Sequence, residues 1–115
     1  MLILRALETS SLLEILFEDA DLLAVNKPAD LVCHPTKAGP LSSLISRARL
    51  YLGAGATCSI INRLDRETSG ILLVAKKRSA LKQLQDQFRT RQTGKTYLAM
   101  VRGQWPAKLK VLDKP

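Results

Sequence analysis

Apolar residues along the chain fall into short runs whose spacing changes from two-fold to helical and back. Residues 13 to 17 and 22 to 26 form two such runs around the acidic stretch Glu18-Asp19-Ala20-Asp21, a pattern that predicts a β-hairpin. The segment "KPADLVCHPTKAGP", residues 27 to 40, holds three prolines and reads as one long surface connection. Beyond it, Leu41, Leu44, Ile45, Ala48 and Leu52 recur at helical spacing, with Ser42 or Ser43 to cap the start and Gly53 to end it. The continuous run "ILLVAKK", residues 71 to 77, suits a central strand covered on both faces. "SALKQLQDQFRTR" then predicts an amphipathic helix with Ser79 as its cap and a stripe of Leu81, Leu84 and Phe88. Alternation in "KTYLAMVRG", residues 95 to 103, predicts a last strand ending at glycine. This order implies an α+β fold, a mixed, largely antiparallel sheet with packed helices. The tail "QWPAKLKVLDKP" has too little apolar patterning to close the core, so a sheet edge should stay open.

Composition narrows the partners. A chain of 115 residues is a single domain at most. Its 18 Lys+Arg against 10 Asp+Glu give a formal charge of +8, which favours a polyanion such as nucleic acid or an anionic surface. With one Trp, two Tyr and two Phe, we expect no interface built by stacking many single-stranded bases, and recognition that leans on charge and shape. Cys33 and Cys58 lack C-x-x-C spacing and have only His34 as a companion ligand, so we expect ordinary packing and neither a metal site nor a disulfide framework. Arg5, Glu8 and Glu14 interrupt the leucine-rich amino end, from which we expect a cytoplasmic protein with no membrane partner.

Candidate chemistry lies in "INRLDRETSGILLVAKK", residues 60 to 76. Asp65 sits between Arg63 and Arg66, and Thr68, Ser69 and Gly70 supply a turn into the next strand. A positioned carboxylate can act as nucleophile, as general base or as partner to a cationic sugar-like transition state. Guanidinium groups beside it can hold phosphates. Spacing alone also fits a solvated surface network of Arg63, Asp65, Arg66 and Glu67, worth little energetically.

The same segment resembles the signature H-R-L-D-x-x-T-S-G-L-L-L-V-A-K of RNA pseudouridine synthases of the RluA-type branch. Two further stretches agree in order and spacing. "ILFEDADLLAVNKPADLVCHP", residues 15 to 35, is similar to that family's opening strand pair and its N-K-P-x-G-L-V-x-H-P loop; "FRTRQTGKTYLAMVRG", residues 88 to 103, is similar to its F-x-x-R-x-x-x-K-x-Y-x-A-x-V-x-G segment. The resemblance implies isomerisation of uridine in ribosomal or transfer RNA, without cofactor or metal. The bond between uracil N1 and ribose C1′ is cleaved, the base turns, and it is rejoined through C5. By this likeness Asp65 is the catalytic aspartate, attacking C1′ or taking a proton from C2′. Arg63 fills the gap left by a flipped base. Tyr97 lies against the uracil ring and assists proton movement at C5. The expected RNA contacts are Arg63, Arg66 and Lys27, joined by Lys76, Lys77, Arg89, Arg91 and Lys95 from a basic series that also holds Arg78 and Lys82 and is opposed in sequence by only Asp86.

The pattern is departed from in two places. Asn62 stands where the family has histidine, keeping a hydrogen bond but no titration. After "VLDKP" nothing matches the family's later R-T-G-R-x-H-Q-I-R and G-D-x-x-Y-G segments, which supply a basic partner for the aspartate, and nothing resembles the small basic RNA-binding domain that many relatives carry in front. We therefore expect residues 1 to 115 to form part of a catalytic domain with little or no turnover alone. The rival readings are a basic RNA-binding module without chemistry and a purely structural or partner-binding domain.

Overall fold

The computed structural model describes residues 12–35, 39, 41–53 and 55–113; the leucine-rich segment 1–11 lies outside them. The expected hairpin forms from β1 (Glu14–Glu18) and β2 (Leu22–Lys27), paired antiparallel. Its acidic turn closes because Asp19 Oδ1 accepts from the N–H groups of Asp21 (2.7 Å) and Leu22 (2.8 Å), while Asp19 N–H donates to the Leu22 carbonyl at 3.0 Å. A bulge between Ile15 and Phe17 shifts the register of β1.

Helix α1 (Leu44–Leu52) begins and ends as its sequence predicts. Ser43 Oγ accepts from Ser46 N–H at 3.1 Å, and Gly53, with φ of +93°, donates to the Arg49 carbonyl at 2.9 Å. The short β3 (Ser59–Ile60) and the longer β4 (Gly70–Ala75) complete a four-stranded antiparallel sheet of order β1-β2-β4-β3. Helix α2 (Arg78–Arg89) follows β4.

Register decides the core. Leu23 pairs with Val74 and Val25 with Leu72, so all four share one face, where Leu44 and Ala48 of α1 cover them. The opposite face of β4 carries Ile71 and Leu73, which share a pocket with Phe88 of α2. Coverage there is incomplete, because Ile71 is 63% exposed.

Two expectations are corrected. Helix α2 starts at Arg78 after Lys77, and Ser79 lies inside it without capping. The chain leaves β4 through Lys76, whose N–H donates to the Asp21 carbonyl at 2.8 Å, and this exit sets the helix start ahead of the best capping residue. Residues 95 to 103 form no strand. Both sides of the alternation are exposed, Tyr97 at 59% and Leu98 and Met100 at 101%, and the segment's backbone pairs with none of the four strands. Among the described residues no helix is long and apolar enough to cross a membrane.

Candidate active site

Asp65 lies on the loop from β3 to β4, and the loop's entry is fixed by main-chain geometry. Ile61 N–H donates to the Leu73 carbonyl at 2.8 Å. The Asn62 side chain then continues the ladder that β3 abandons: its Oδ1 accepts from Leu73 N–H at 2.8 Å, and its Nδ2 donates to the Ile71 carbonyl at 3.4 Å. Leu64 turns inward and packs against the core. Thr68 N–H donates to the Asp65 carbonyl at 3.1 Å, closing the turn, and Gly70 leads into β4 with φ of +137°, a conformation that L side chains rarely adopt. Arg63, Asp65 and Arg66 are left exposed.

These three residues form one wall of a cleft of about 370 Å³ whose other wall is Val32, Cys33, His34 and Pro35. Among the described residues none of Arg63, Asp65, Arg66 or Glu67 takes part in an ion pair, so the solvated network open to the sequence is not formed. The arrangement presents a carboxylate and two guanidinium groups to a concave surface.

Lys27 is a correction. It is wholly buried, and its Nζ donates to the carbonyls of Leu31 (2.8 Å), Pro28 (3.0 Å) and Arg66 (3.1 Å). An ammonium whose three protons are all taken by the main chain has none left for a phosphate. The sequence held a signal for this: Lys27 continues the alternation of Leu23 and Val25 toward the core face of β2. Cys33, buried as expected, donates from Sγ to the Leu64 carbonyl at 3.2 Å, a contact no spacing rule would find.

The basic series does not run as one track. Strand β4 spans six residues, about 17 Å at roughly 3.3 Å per residue, and Lys76 and Lys77 lie at its far end from Asp65. Both are engaged there, Lys76 with Glu18 at 2.7 Å and Lys77 with Asp21 at 3.2 Å. The hydrogen bond from Lys76, joined by that of the Tyr51 hydroxyl at 2.6 Å, holds the Glu18 carboxyl below its ordinary range, and the same bond to Glu18 pushes the Tyr51 phenol up. Burial raises the Cys58 thiol, partly offset by Arg49.

Helix α2 runs back along the sheet and returns its carboxyl end to the beginning of β4. Arg89 bonds Asp86 at 3.0 Å, Arg91 takes a left-handed conformation (φ 58°) at the helix end, and the Lys95 ammonium stands 4.9 Å from the centre of the Phe88 ring. Tyr97 and Lys95 line a second pocket of about 320 Å³ with Asn62, Ile71 and Phe88. Leu64 lines both pockets, Tyr97 the one and Asp65 the other. Among the described residues no three His, Cys, Asp or Glu side chains gather as a metal site.

Comparison with known proteins finds relatives of the chain. A family model described as RNA pseudouridylate synthase matches residues 21–114. Ribosomal large subunit pseudouridine synthase C of Pasteurella multocida is 46% identical over 102 residues, covering 89% of this chain and 31% of the relative. The protein of the same name from Escherichia coli K12 is 43% identical over 101 residues, covering 88% and 31%. Among solved structures, Human RNA Pseudouridylate Synthase Domain Containing 4 superposes with a TM-score of 0.58 at 29% identity, over 80% of this chain and 36% of that one. The chain thus spans about a third of the length of the curated relatives it matches.

Proposed function

We propose that this chain, which belongs to the RNA pseudouridylate synthase family, carries the aspartate wall of a site that isomerises uridine to pseudouridine in ribosomal RNA. Its relatives named for the ribosomal large subunit favour that RNA over transfer RNA. The carrying observation is Asp65: an exposed side chain, free of ion pairs among the described residues, in a cleft with Arg63 and Arg66 and on a loop whose main chain is bonded on both sides.

In this reading a uridine leaves its helix and enters the cleft, and Arg63 occupies the gap it vacates. Asp65 attacks C1′ or removes the C2′ proton, and the bond from C1′ to N1 breaks. The freed base turns and its C5 bonds to C1′ as the bond from Asp65 to C1′ breaks, or, on the other route, as Asp65 returns the proton to C2′; C5 loses its proton and N1 gains one, so the product is an isomer of the substrate and Asp65 is regenerated. Arg66 supplies a phosphate contact. Tyr97, from the neighbouring pocket that shares Leu64, lies against the uracil ring and assists proton movement at C5.

The test grafts residues 12–113 in place of the matching segment of the Pasteurella protein and supplies ribosomal RNA labelled at uridine C5. Release of label to water is expected. Salt-sensitive binding without release would favour a basic RNA-binding module instead.

A further inference from the structure

The three consecutive carbonyls around Asp65 are all hydrogen-bonded, and two of them by one neighbouring segment. Leu64 O accepts from Cys33 Sγ at 3.2 Å, and Arg66 O accepts from Lys27 Nζ at 3.1 Å and from Asp30 N–H at 2.7 Å. Asp65 O accepts from Thr68 N–H at 3.1 Å. The backbone of Asp65 is thereby hydrogen-bonded before, at and after its own position.

Lys27 is suited to this grip. It is wholly buried, and its other two protons go to Pro28 O at 3.0 Å and Leu31 O at 2.8 Å. One ammonium thereby ties the loop after β2 to the loop before β4. Among the described residues it has no acidic partner, so the three carbonyl dipoles alone compensate a buried charge, and a neutral replacement would leave those oxygens unmatched. Asp30 takes φ of 70°, a left-handed turn that aims its N–H at the same Arg66 carbonyl.

We propose that Lys27 and Cys33 are positioning residues for Asp65, acting through the Arg66 and Leu64 carbonyls and touching no RNA. The proposal rests on the reading of Asp65 as the reacting group. A misplacement of about 1 Å at a reacting atom can cost on the order of a hundredfold in rate, which is the scale on which such a grip would matter.

Two measurements test it, with Lys27→Met and Cys33→Ala. In the chain itself, amide hydrogen exchange should accelerate about tenfold or more at Thr68 and Asp30 in Lys27→Met, and severalfold at Thr68 in Cys33→Ala, while α2 is unchanged. In the grafted enzyme, kcat should fall about tenfold to a hundredfold with KM within about threefold. Unchanged exchange at both amides, faster exchange throughout α2, or a raised KM at constant kcat would each overturn the proposal. If Lys27→Met does not fold, Cys33→Ala decides alone by the same criteria. Local acceleration in a chain whose grafted parent releases no label would leave the grip standing and remove the isomerase reading.

Discussion

Asn62 pairs with Leu73 as a strand residue would, although the pairing group is a side chain: its amide oxygen accepts the Leu73 N–H at 2.8 Å one residue beyond the point where main-chain pairing stops. A carboxamide carries the same donor and acceptor as a peptide, so it lengthens β3 without adding to its backbone. At this position an imidazole is therefore not required for the loop to be built, which accounts for asparagine in an otherwise matching motif.

Asn62→Ala should therefore cost about 1–2 kcal/mol, since it leaves a part-buried N–H without its acceptor. Urea unfolding of the two chains checks it. Equal midpoints would mean that the Asp65 loop is entered without help from this side chain.

Leu98 and Met100 are fully exposed and touch no ladder, so replacing both with serine should change stability by no more than about 0.5 kcal/mol and should improve solubility. A large loss in the same unfolding assay would show that residues 95 to 103 pack after all.

Glu18 ties β1 to α1 and β4 through Tyr51 and Lys76. Its folded pKa lies below the ordinary 4.5, so its contribution is complete above that value and is lost as pH falls through the lower folded one. Tyr51 has the opposite sign: its folded pKa lies above 10.0, and its contribution is lost as pH rises through it. Tyr51→Phe should flatten the loss of stability above pH 10.0 and weaken the one below pH 4.5, read as urea midpoints across pH. Unchanged slopes at both ends would contradict the pairing.

Arg63 and Lys77 should differ in RNA affinity. Arg63→Ala removes a free cation from the cleft and should lower the salt slope of RNA binding by about one, whereas Lys77→Ala removes a cation already paired with Asp21 and should leave affinity within about twofold. Similar losses from both would restore a single phosphate track.

Much of this was legible in residues 13 to 89. The hairpin, the Ser43 and Gly53 ends of α1 and the central position of β4 all follow from local patterns that tertiary packing leaves alone. The strand expected at 95 to 103 has alternation but no partner, and pairing is a property of two segments. Among site residues, the Asp65 loop could be read from its charges and turn. The charge of Lys27 points to a phosphate, while the two-residue period it shares with Leu23 and Val25 points to its burial. The split of the basic series was invisible for a similar reason, because Glu18 and Asp21 are remote in sequence from the lysines they pair with.

In the proposed reaction the Asp65 side chain reacts with the ribose of a uridine. The most direct test compares the grafted enzyme with its Asp65→Asn form on ribosomal RNA labelled at uridine C5. No label release is expected from the variant, with RNA affinity within about threefold of the parent, because a reacting group is lost and a phosphate contact is not. Release at the parent's rate would contradict this role for Asp65.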